Sequence, residues 1–134
     1  MPRGQGPGRQ EATMKYALLI YSPTEAREYD APRPETDANI AGYVRALRDA
    51  GVFVGAEQLT HTETATSVRM RGEERLLTDG PFLETKEHLL GFVLIDVPDL
   101  DAALEWAARM PAAAIGTVEV RAVKTRQPWH AMLG

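Results

Sequence analysis

The densest grouping of side chains able to do chemistry lies between residues 78 and 87, where Thr78-Asp79-Gly80-Pro81-Phe82 is followed by Glu84-Thr85-Lys86-Glu87. An Asp before Gly-Pro can accept hydrogen bonds from the N–H groups that follow it, Gly80 can take φ values closed to other residues, and Pro81 fixes the next step. These residues predict a sharp, rigid turn that gathers Asp79, Glu84, Lys86 and Glu87, with Phe82 as an apolar wall. Carboxylates beside an amine offer proton transfer or the grip of a charged small molecule. Asp79, Lys86 and Glu57 are therefore the candidate catalytic residues, and Phe82, Glu84, Glu87 and His88 the candidate substrate contacts. Glu57 is included because small Gly55 and Ala56 precede it in a strand, where a carboxylate faces either a polar cleft or water. Each candidate also has a plain structural role. An Asp that caps its own turn contributes about 1 kcal/mol with no function, a solvated Lys86 can pair weakly with Glu84 or Glu87, and Glu57 and His88 can simply face solvent.

Other chemistries find less support. No two of His61, His88 and His130 have the i, i+4 spacing of a helix-borne metal site, and there is no cysteine, so neither a metal centre, a disulfide nor a thiolate nucleophile is expected. Ser22 and Thr24 lack a glycine elbow or a local base. Gly4, Gly6 and Gly8 have no strand before them and no helix after, which argues against a phosphate loop; no cofactor is expected. Tyr21 and Tyr29 suit either pocket lining or packing.

These residues need a frame of modest size. The 134 residues, 44% hydrophobic and 25% charged, suit one globular domain with one core. A formal net charge of -4 is the wrong sign for gripping a phosphate backbone, so no nucleic-acid partner is expected. Residues 16–21 and 89–95 are the longest apolar stretches and fall far short of the roughly 20 residues a bilayer requires. The reading is a cytoplasmic protein without a membrane partner.

Residues 1–13 are rich in glycine, proline, glutamine and arginine and predict a disordered leader, either a genuine tail or residues added upstream of Met14. A strand over 15–22 ends at Pro23. Its near-continuous apolar run predicts cover on both faces. Ile40, Tyr43, Val44 and Leu47 form one helical stripe within 34–50, with Pro34 in the first turn and Gly51 as the stop. Strands follow over 52–59, 64–70 and 75–78, the last two as a hairpin, and then over 89–97. Asp99 caps a helix carrying Leu100, Ala103, Leu104 and Ala107 on one face, Pro111 ends it, and 117–123 forms the last strand. The tail, 124–134, keeps Trp129 and Met132 as apolar residues that docking or a dimer contact would explain. The expected fold is α+β, ferredoxin-like β-α-β-(hairpin)-β-α-β, over residues 14–123. Helices cover one face of such a sheet and leave the other as an apolar patch, so a homodimer is expected.

The Asp-Gly-Pro-Phe segment resembles the signature of the DGPF branch of the YCII-related family. The likeness extends to GVFVGAEQL (51–59), TSVRMR (66–71), GFVLIDVPDLDAAL (91–104) and GTVEV (116–120), and so covers the folded part of the chain. The resemblance implies a dimeric α+β barrel. Some relatives pair a histidine near the end of the first strand with a following aspartate; residues 22–30 contain no histidine, so that dyad is not carried over to Asp30. Two readings stay open. One is a metal-free small-molecule enzyme using acid and base residues near the turn. The other is a non-catalytic ligand-binding or accessory protein, which the family's association with sigma-factor signalling implies.

Overall fold

The computed structural model describes residues 12–29, 31, 34–125 and 129–133. Strand β1 (Met14–Ser22) stops where Pro23 offers no N–H to a ladder. A single helical turn, α1 (Ala26–Tyr29), precedes α2 (Pro34–Asp49), which opens on proline and leaves through Gly51 at φ 75°. Strand β2 (Phe53–Gln58) follows, then β3 (Thr66–Arg71) and β4 (Glu74–Asp79), joined by a two-residue turn whose Gly72 has φ 63°. Strand β5 (His88–Val97) leads to α3 (Leu100–Arg109), and β6 (Thr117–Ala122) completes the fold. Asp99 caps α3 as expected, its carboxylate accepting the Ala102 N–H at 2.9 Å.

The fold is α+β. Strands β2-β5-β1-β6 form one antiparallel sheet and β3-β4 form a separate two-stranded one. Alternation along the strands divides the large sheet into two unlike faces. Tyr16, Leu18, Val93, Ile95 and Val97 are buried against Tyr43 and Leu47 of α2 and Ala103 and Ala107 of α3. On the other face Ala17, Leu19, Phe92 and Leu94 are only half-buried. Cover on both faces of β1 is thus not supplied by the described residues.

The helical stripes are narrower than expected. Ile40, Leu100 and Leu104 are exposed. Small Ala103 and Ala107 let α3 approach the sheet closely, and the leucines beside them are left on its flank. Of the expected leader, only Ala12 and Thr13 fall within the described residues, and both are exposed. The tail forms a short 3-10 turn, Trp129–Leu133, with Trp129 87% exposed rather than docked on its own chain.

Two backbone approaches, at Gly91 and Gly116, demand glycine. A Cβ on Gly116 would lie 2.1 Å from the Tyr21 carbonyl oxygen, whereas one on Gly55 would meet nothing within 4 Å. Gly116→Ala is therefore expected to destabilise by roughly 1–3 kcal/mol in urea unfolding, with Gly55→Ala as a near-neutral control. A second expectation concerns alkali. Tyr43 donates to the Trp106 carbonyl at 2.7 Å, and burial pushes its phenol from 10.0 up to about 12 against the smaller opposing pull of Arg109. The folded chain then holds a proton that the unfolded chain has lost, so this stabilising contribution is full below pH 10 and is lost as pH rises through about 12. Unfolding curves across that window should fall less steeply for Tyr43→Phe than for the parent.

Candidate functional site

One end of the large sheet is shaped by a register irregularity. Ile20 pairs with Gly91, yet the next residue, Tyr21, pairs with Leu89, so Leu90 is an extra residue in β5. Its carbonyl accepts the Leu59 N–H at 2.8 Å. Alternation reverses across the bulge. Tyr21 and Leu89 continue the open face, and His88 becomes the partner of Ser22.

On the Ser22 side two imidazoles meet. His61, 3% exposed, and His88 have ring centroids 4.7 Å apart. The Nε2 of His61 lies 3.1 Å from the Thr24 carbonyl, which can only accept, so Nε2 carries the proton and Nδ1 accepts the Glu63 N–H at 3.2 Å. The Nδ1 of His88 bonds the Thr62 hydroxyl at 2.8 Å, and the buried Ser22 hydroxyl bonds Thr24 at 2.6 Å. Tyr29 donates to the Leu59 carbonyl and accepts from Gln58 Nε2. Together these bonds fasten residues 59–65, from which the hairpin departs. The separate histidines of the sequence carry no sign of this pairing.

On the open side, Tyr21, Thr85, Lys86, Glu87, Thr117 and Glu119 line an open cleft of ≈ 500 Å³. Thr117 donates to both oxygens of Glu87, at 3.2 and 3.3 Å, and Thr85 donates to the Glu87 carbonyl. Burial raises the Tyr21 phenol above its ordinary 10.0; the charge of Glu119 and hydrogen bonding to it raise it further, against an opposing Arg121. Tyr21 is thus a protonated donor beside a carboxylate at neutral pH.

Of the residues singled out in the sequence, Lys86 and Glu87 stand in this cleft. Lys86 forms no ion pair with Glu84 or Glu87 among the described residues. His88 lies on the other side, against His61. Glu57 is exposed at the far edge of the sheet: it pairs with Phe92, Phe92 with Leu19 and Leu19 with Glu119. Three strand spacings, roughly 14 Å, separate the two glutamates, and Glu57 does not line the cleft. Asp79 ends β4, exposed, and does not hold its own turn. Gly80, at φ 96°, does so through its N–H to Ala65 at 2.6 Å and its carbonyl, which accepts from Ser67 Oγ at 2.9 Å. Phe82 is exposed with the Arg69 guanidinium 5.6 Å from its ring centre, and Glu84 is exposed on the same connection. Thr117 and Glu119 were missed by reasoning from the sequence. Their signal was the polar alternation Thr117, Glu119, Arg121 along β6, which marks an uncovered face. Among the described residues no three His, Asp or Glu side chains gather as a metal ion requires.

Comparison with known proteins identifies the family. The YCII-related domain model matches residues 14–129. An uncharacterized protein of Rhizobium meliloti (strain 1021) is 35% identical over 121 residues, covering 86% of this chain and 96% of that protein. The chain belongs to the YCII-related family.

If Glu119 holds the Tyr21 proton, Glu119→Gln should lower the phenol's pKa by removing the charge while keeping an acceptor. Absorbance titration of tyrosinate, with Tyr21→Phe to assign the transition, checks this. An unchanged alkaline profile would separate the two groups.

Proposed function

We propose that the chain binds a small polar molecule in the Lys86 cleft and works as a homodimer, two ferredoxin-like protomers packing their open sheet faces together as an α+β barrel. One observation supports this most directly: Tyr21, Lys86, Glu87, Thr117 and Glu119 come from β1, β6 and the approach to β5 and converge on a single concavity. Lys86 offers a cation to an anionic group of the ligand, and Glu87 and Glu119 accept from its donors. The half-exposed apolar row across the sheet supports the face-to-face pairing.

Proton transfer is the chemistry these groups supply without a metal. Tyr21 gives its proton to the ligand and recovers one from water, Glu119 orients the phenol as its hydrogen-bond acceptor, and Lys86 stabilises negative charge on the ligand. In this reading Asp79 belongs to the root of the hairpin and Glu57 to the opposite edge. No feature of the cleft favours an accessory role in sigma-factor signalling over ligand chemistry. The net charge of -4 disfavours nucleic acid, no described helix is long and apolar enough to cross a membrane, and the cysteine-free composition suits the reducing cytoplasm, where we place the protein.

A thermal-shift screen of small metabolites tests the cleft. A true ligand should raise the melting temperature of the parent and lose at least ten-fold in affinity, about 1.4 kcal/mol, in Lys86→Ala and in Glu119→Gln while both variants melt as the parent does without ligand. Equal binding by all three proteins would place the site elsewhere.

A further inference from the structure

The side chains of the cleft have spent their hydroxyl hydrogens on one another. A hydroxyl has a single hydrogen to give. Thr117 gives its own to the Glu87 carboxylate at 3.2 and 3.3 Å, Thr85 to the Glu87 carbonyl, and the Tyr21 phenol to Glu119. Toward a ligand these side chains can therefore only accept. The one side-chain donor left in the lining of the cleft is the ammonium of exposed Lys86.

Strand register sets the spacing of the acceptors. Thr117 pairs with Tyr21 and Glu119 with Leu19, so Thr117 and Glu119 stand two residues apart on one face of β6, roughly 7 Å. Glu87 is held at Thr117, which puts its carboxylate and that of Glu119 at neighbouring positions of one concavity. Neither carboxylate has an ion pair among the described residues, and Lys86 has none either. Arg121, the next residue on that face, opposes the charge of Glu119 at Tyr21 but does not line the cleft. Two like charges so placed favour an opposite charge between them, and with no hydroxyl hydrogen left to meet them that charge must bring its own hydrogens. A simple cation would leave Lys86 unanswered, and a simple anion would leave both carboxylates so. A zwitterion answers all three.

We infer that the cleft takes a small amino acid or a close analogue, its ammonium between Glu87 and Glu119 and its carboxylate on Lys86. This rests on the ligand-binding cleft proposed above and adds the class of ligand. The ammonium shares Glu119 with the Tyr21 phenol and offsets the charge that helps hold the phenol's proton, so binding readies Tyr21 for the proton transfer.

Titration with a straight-chain series of amino acids beginning at glycine and β-alanine, followed by proton NMR of the protein, tests the assignment. Each member has two controls of the same chain length, the alkanoate without the amine and the alkylamine without the carboxylate. The best member should bind at least roughly ten-fold more tightly than either control. Lys86→Met should abolish the advantage over the alkylamine and keep that over the alkanoate, and Glu87→Gln combined with Glu119→Gln should do the reverse, both variants melting as the parent does. A control that binds as tightly as its amino acid, and weakens in the variant that removes its opposite charge, would overturn the ligand class and leave the cleft standing. Amino-acid binding that survives both variants unchanged would place the site elsewhere and remove both readings. No binding by any member of the series at millimolar concentration would overturn the class, whatever other molecule the cleft takes.

Discussion

One extra residue in a strand organises the cleft end of the large sheet. With Leu90 in register, His88 would share a face with Tyr21, and Glu87 would turn toward the helices. The bulge reverses that assignment. It sends the His88 imidazole against His61 with its Nδ1 on the Thr62 hydroxyl, and leaves Glu87 over the open face beside Thr117. A bulge commonly re-aims side chains at the end of a pairing. Here the displaced carbonyl is also used, since it receives the Leu59 N–H and so ties the last residues of β2 to the same point.

The two faces of the sheet divide the work. The helix side carries the core, and its contacts extend outward through Arg48 over the Phe53 ring and Arg109 over Trp106. That side is complete within one chain. The open side carries the cleft, the charged rim of Glu57, Glu119 and Arg121, and the half-exposed apolar row. The core therefore lies on one face and the proposed ligand cleft on the other, and substitutions on the two should act independently unless they touch the bulge.

Much of the frame was readable from residue types. Prolines after β1 and β5, the Asp99 cap, and the glycines at Gly51 and Gly72 each act through a local rule, and local rules survive into the fold. The Asp-Gly-Pro turn was readable as a turn, but its fastening was not, because the bonds come from Ala65 and Ser67 across the hairpin. The site was less readable for the same reason. Which carboxylate accompanies Lys86 depends on strand order: Glu57 and Glu119 lie in one row, and only the placement of β6 beside β1 chooses Glu119. Two adjacent leucines give no hint that one of them is unpaired in the ladder.

The imidazole of His61 has a final consequence. One nitrogen gives a hydrogen to Thr24 and the other takes one from the Glu63 amide, so the ring is spent as a relay between two backbone segments. The neighbouring imidazole of His88 stands 4.7 Å away, ring centre to ring centre. The root of the hairpin is thereby fastened by a single ring that must donate on one side and accept on the other, a pair of roles that a hydrocarbon ring in its place would leave unfilled.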